Sequence, residues 1–158
     1  MLEVKQVDNS NRQSVVDLIA DHWGSSIVVT RGKVHHAKDL DGFAVYENSE
    51  MVGLITYHIV NNECEIVSLD SMSENRGIGT MLIEKVTDVA RKHGCRRVWL
   101  ITTNDNTHAI RFYQRRGFNM AALHVNAIEE SRKIKPQIPL YGFDGIPIMH
   151  EVEFEKIL

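Results

Sequence analysis

The sequence predicts an α/β (α+β) protein: one mixed β-sheet with helices packed on its faces. Three observations carry this. GFAVYENSEMVGLITYHIVNNECEIVSLDS (42–71) is three apolar, β-branched runs broken only at Asn48-Ser49 and Asn61-Asn62, which is turn chemistry. Two glycines, Gly77 and Gly79, then open an amphipathic helix. Beyond it, helix and strand patterns alternate. The order is strand, helix, three strands, helix, strand, helix, strand, and then a closing strand. It calls for a mixed central sheet of about seven strands flanked by about four helices.

Each element follows from its spacing. Leu2, Val4 and Val7 mark an opening strand. NRQSVVDLIADHW (11–23) sets Val15, Val16, Leu18, Ile19 and Trp23 at helical intervals, with Asn11 as cap and Trp23 as a core anchor. GSSIVVTRGKVHHAKDL (24–40) reads as irregular, with a short helix near its end. Strands are expected over Gly42–Glu47, Met51–Val60 and Glu63–Asp70. Leu82, Val86, Val89 and Ala90 give the next helix one buried stripe, and Gly94 stands at its stop. RRVWLITT (96–103) is a buried strand, THAIRFYQRRGF (107–118) a helix ending at Gly117, and NMAALHVNAI (119–128) a returning strand. Pro136, Pro139, Pro147, Gly142 and Gly145 predict an atypical loop over 129–147. MHEVEFEKIL (149–158) alternates like a final strand.

The 158 residues suit one domain spanning 1–158. Hydrophobic content of 43% supports a core of useful size, and a net charge of −3 gives no bulk attraction to nucleic acid or membrane. Cys64 and Cys95 form no CxxC or metal pattern and read as core thiols in a reducing, cytoplasmic setting. The start lacks the apolar stretch of a signal peptide, and no run approaches the ~20 apolar residues of a membrane span. Of eight histidines, His35 and His36 are adjacent, but none shows HxxxH spacing with a third ligand, so no metal is expected. His35, His36, Arg31 and Lys33 read first as surface-loop residues.

Glycine costs roughly 1 kcal/mol against alanine inside a helix, so Gly77 and Gly79 need another reason. A helix N-terminus presents unpaired N–H groups and a partial positive charge, and bare backbone lets an anion approach them. A phosphate loop fits, and so does a turn or packing role. The loop is not a Walker A, because no Gly-Lys-Ser/Thr follows. It is not GxGxxG, because Leu82 holds the third glycine position.

Context narrows the choice. ENRGIG (74–79) and NTHAIRFYQRRGF (106–118) resemble the two motifs of the GNAT superfamily of acetyl-CoA-dependent N-acetyltransferases. The first is Gln/Arg-x-x-Gly-x-Gly/Ala. The second, Asn-x-x-Ala-x-x-Phe/Leu-Tyr-x-x-x-Gly-Phe, is matched in full, and the resemblance covers roughly residues 2–125. One departure stands out: Glu74 replaces the usual Gln or Arg. A carboxylate repels a phosphate by ~1 kcal/mol at 4 Å in water. Arg76 is placed to offset it.

The resemblance implies the GNAT fold and an enzyme moving acetyl from acetyl-CoA to a primary amine, on a small molecule or a protein, by direct attack in a ternary complex. It implies that the pyrophosphate lies on the amides of Glu74, Asn75, Arg76, Gly77, Ile78, Gly79 and Thr80. The pantetheine arm would pair with Leu69, Asp70 and Ser71, as an added strand does. Asn106 would contact that arm, cap its helix, or both. Tyr113 falls on the family's catalytic tyrosine, which donates a proton to the departing sulfur. Glu65 resembles the strand glutamate that serves as general base; as an ordinary strand residue it would face solvent or pair with a cation. A backbone N–H near Leu69 or Asp70 would hold the oxyanion. Arg111, Arg115 and Arg116, or Arg91 and Lys92, read first as solvated helix faces and second as partners of the 3′-phosphate. Neither cysteine falls on a nucleophile position, which disfavours ping-pong transfer. The 129–147 loop would be a lid over the acceptor or a homodimer contact. The rival reading is a non-catalytic acyl-CoA sensor of the same fold.

Overall fold

Tight turns set the sheet. Asn48-Ser49, Asn61-Asn62 and Arg31-Gly32 all hold positive φ at both central positions, which joins antiparallel strands with the right twist. The computed structural model describes residues 1–73 and 76–158. The chain runs β1 (Leu2–Gln6), α1 (Arg12–Trp23), β2 (Ile27–Thr30), β3 (Lys33–His36), β4 (Asp41–Glu47), β5 (Glu50–Val60) and β6 (Glu63–Ser71). It continues through α2 (Ile78–Lys92), β7 (Arg97–Thr103), α3 (Thr107–Arg115), β8 (Asn119–His124), α4 (Ala127–Ile134) and β9 (Glu151–Ile157).

Seven strands form one sheet in the order β1-β4-β5-β6-β7-β9-β8. The β6–β7 pair is parallel; the other pairs in it are antiparallel. α2 and α3 cover one face, over a core that includes Ile55, Leu82, Val86, Leu100, Tyr113 and Phe154. α1 covers the other, where Val15 and Ile19 pack with Val28, Leu54 and Val67. Cys64 and Cys95 are buried free thiols, and burial pushes Cys64 up to about 12. Among the described residues, no helix is long and apolar enough to cross a membrane.

Three local expectations are corrected. The stretch read as irregular contains the β2–β3 hairpin, whose Ile27-Val28-Val29-Thr30 run pairs with Lys33–His36 before a single 3₁₀ turn at Ala37–Asp39. The expected 129–147 loop begins as helix: α4 buries Ile128 and Ser131, with Glu129 and Glu130 in its first turn and Arg132 and Lys133 in its last, as the helix dipole favours. Asn11 does not cap α1 through its side chain. Its Oδ1 instead accepts from the Asp8 N–H (2.8 Å) and its Nδ2 donates to the Gln6 carbonyl (3.2 Å).

Candidate active site

The site starts where two strands part. β6 pairs with β7 only from Glu63↔Arg97 to Ile66↔Leu100. There the β5–β6 ladder shifts register, between Thr56 and Tyr57, and a bulge adds local twist. β6 runs on to Ser71 beside β5, while β7 follows β9 to Thr103. Among the described residues, the β7-facing edge of β6 beyond Ile66 is therefore left without a strand partner. A cleft of about 760 Å³ opens at this split. Leu69, Asp70 and Ser71 of β6 line one wall, Gly77, Ile78 and Gly79 the end, and Asn106 and Tyr113 the α3 wall.

The two glycines have separate reasons. Gly77, at the N-cap of α2, holds φ +72°, a left-handed conformation that side chains disfavour. Gly79 lies against α3, and a Cβ there would sit 2.8 Å from Phe112 Cζ. That packing brings Phe112 and Arg116 to the mouth of the loop. Arg116 stacks on the Phe112 ring (3.6 Å to the centroid), donates from Nε to Thr80 Oγ1 (2.9 Å) and lines the cleft. Burial and the neighbouring Arg115 lower its pKa. Arg111 and Arg115 also line the cleft but are exposed, as the solvated-face reading expects, whereas Arg116 is half-buried and engaged. Thr80 is not among the residues that line the cleft; its Oγ1 accepts from Arg116, which does. Arg76 lies in the wall, engaged by Glu47 through Nη1 (2.7 Å) and Nη2 (2.5 Å), so Glu47 is its partner. Glu74 and Asn75 lie outside the described residues.

Tyr113 is buried, with its ring edge-on to Phe112 and Phe118. Burial, and next the charge of Asp70, raise its pKa, so the phenol stays protonated at neutral pH. Asn106 caps α3, its Oδ1 accepting from the Ala109 N–H (3.1 Å).

Glu65 is not in the cleft wall. It is 3% exposed beneath the hairpin, where Thr30 Oγ1 donates to its Oε2 (2.7 Å) and His35 Nε2 stands 3.5 Å from Oε1. Thr30 has one proton, so its oxygen accepts from His35 Nε2–H (3.0 Å). His35 is thus a buried partner of Thr30 and Glu65 rather than a loop decoration. Among the described residues, no group of three His, Cys, Asp or Glu side chains is placed to hold a metal.

Trp23 is corrected most. It is 38% exposed, and its Nε1–H donates to Asp70 Oδ2 (3.1 Å). A helical-period pattern places an aromatic on a face but cannot tell a core anchor from a half-exposed donor to a cleft residue such as Asp70. Phe143, from the tail, also reaches the cleft. No sequence signal places it there, because the tail's course depends on long-range contacts such as those of Asn104, which accepts from the N–H groups of Met149 and His150 (2.9 Å each).

The family model "Acetyltransferase (GNAT) family" matches residues 12–118, which hold the split, both glycines and Tyr113. The chain belongs to the GNAT family. This GNAT chain is 45% identical to YdhI of Bacillus subtilis (strain 168), over 93% of its own length and 92% of that protein. Its fold matches the IAA acetyltransferase from Bacillus cereus ATCC 14579 with a TM-score of 0.73, at 13% identity and over 100% of both chains. It matches the GNAT family acetyltransferase from Elizabethkingia anophelis, solved with acetyl-CoA bound, with a TM-score of 0.73 at 16% identity, over 99% of this chain and 98% of that one.

Proposed function

We propose that this protein transfers an acetyl group from acetyl-CoA to a primary amine by direct attack in a ternary complex. The observation that carries the proposal is the split between β6 and β7, closed at one end by Gly77 and the N-terminus of α2. A peptide-like pantetheine arm can pair with the unpartnered edge of β6 at Leu69, Asp70 and Ser71. Its pyrophosphate can accept from the free amides of the Gly77–Thr80 turn. The partly buried Arg116 and its neighbours Arg111 and Arg115 supply cations at the same mouth. The acetyl-CoA-bound relative supports this ligand.

The chemistry then needs a neutral amine, donors for the oxyanion and a proton for sulfur. Tyr113 fits the last role, because burial keeps its proton until the thiolate forms. The unperturbed phenol pKa of about 10 lies above a thiol's ~8.5, so the proton moves late. Backbone N–H groups near Leu69 or Asp70 fit the oxyanion. As general base, Glu65 would need a water relay or movement of the hairpin, given its burial and its bond from Thr30.

The test is release of free CoA thiol from acetyl-CoA across a panel of polyamines, amino acids, aminoglycosides and peptide amines. Release with one class supports the proposal and names the acceptor. Tight CoA binding without release across the panel would replace it with the sensor reading.

A further inference from the structure

We propose that His22 and Asp70 form the proton-accepting pair for the attacking amine, with His22 Nε2 taking the proton and Asp70 orienting the ring. This rests on the acetyl-transfer reading above. Asp70 pairs across the sheet with Leu54, whose side chain packs in the core beneath α1. Cross-strand partners share a face, so Asp70 points to the α1 side. Leu69 packs into the opposite core, with Tyr113. Because β6 and β7 have parted here, Asp70 and Tyr113 line one cleft from its two sides. An amine arriving from the α1 side would meet the thioester with Tyr113 behind it.

The last turn of α1 sends two donors to this one carboxylate. Trp23 Nε1–H meets Oδ2 at 3.1 Å, and His22 Nδ1 meets Oδ1 at 3.2 Å. A carboxylate only accepts, so Nδ1 carries the hydrogen and the neutral ring keeps its lone pair on Nε2. The Asp70 side chain is 14% exposed and that of His22 34%, so the ring is reachable from solvent, and Asp70 is the member of the pair that lines the cleft. The other charges nearby are Asp21, whose Oδ2 is 3.9 Å from His22 Nε2, and Lys135, whose Nζ is spent on the carbonyls of Trp23 (2.7 Å) and Ile27 (3.0 Å). Arg116 faces Tyr113 from the coenzyme side.

The protons balance. The ammonium gives one proton to Nε2, which passes it to solvent. The neutral nitrogen bonds to the acetyl carbon, and the C–S bond breaks. The nitrogen's surplus proton leaves to solvent, Tyr113 gives its proton to sulfur, and Tyr113 is then reprotonated from solvent. One proton is released per turnover.

Two measurements test the pair. In ¹⁵N-histidine-labelled protein, neutral His22 is expected as the Nδ1–H tautomer, and Asp70→Asn should abolish that preference. An Nε2–H tautomer in the wild type would overturn the proposal, even if no acceptor were ever found. With an amine that the wild type acetylates, His22→Gln should lower kcat/KM at least about tenfold at pH 7 and remove the acid limb of the pH profile. An unchanged profile would also overturn it. Failure of the wild type to acetylate any amine would instead count against the acetyl-transfer reading.

Discussion

At the scale of single residues, Tyr113 and Gly79 show how one packing contact serves two ends. Gly79 lets Phe112 lie against the glycine turn, and Phe112 in turn braces Tyr113 edge-on. Glycine stands twice at the start of α2 for two reasons, a left-handed cap at Gly77 and a close approach at Gly79. Tyr113→Phe keeps the ring and its packing and removes only the proton. It is expected to lower kcat about a hundredfold, within the usual range for general acids, while leaving the melting temperature close to that of the wild type. Stopped-flow measurement of the chemical step checks this, and an unchanged rate of that step would remove Tyr113 from the mechanism. The motif around Tyr113 was legible because its residues are consecutive on one helix. The partners of Asp70 were not, since His22 and Trp23 lie 48 and 47 positions away.

At the scale of elements, the meander and the two motif-bearing helices were legible because their periodicity is local. The β2–β3 hairpin was missed, although Ile27-Val28-Val29-Thr30 is β-branched throughout, because Arg31-Gly32 is weaker turn chemistry than an Asn pair. This hairpin depends on buried polar contacts. Its Arg31 reaches Glu151 at the start of β9 through the backbone N–H (3.2 Å to Oε2) and the guanidinium (3.6 Å to Oε1). Glu151 is 2% exposed, and burial raises its pKa above the ordinary carboxylate value, against the smaller opposing pull of Arg31. A raised carboxylate pKa contributes stability that is full below the unfolded value of about 4.3 and is lost as pH rises through the folded value. Glu151→Gln removes that loss. The melting temperature of the variant relative to wild type is therefore expected to rise between pH 4 and pH 8. A difference that stays flat or falls would show that the Arg31 contact outweighs desolvation.

At the scale of the whole molecule, the fold's work is to hold one parallel pair of strands together at one end and apart at the other. Helices on both faces make that possible: α2 and α3 back one face and α1 the other. The tail adds Phe143 to the cleft lining through a chain pinned by Asn104 and Arg132; the prolines and glycines of 129–147 mark a loop but leave lid and homodimer contact equally open. In the proposed complex, coenzyme A lies in the split, with its arm on β6 and its pyrophosphate on the glycine turn. Backbone amide shifts recorded by ¹⁵N NMR during a CoA titration test it most directly. The amides of Leu69, Asp70 and Ser71 and those of Gly77, Ile78 and Gly79 are expected to move together and saturate at the same CoA concentration. Saturable shifts confined to other parts of the sheet, with both of these segments unmoved, would contradict it.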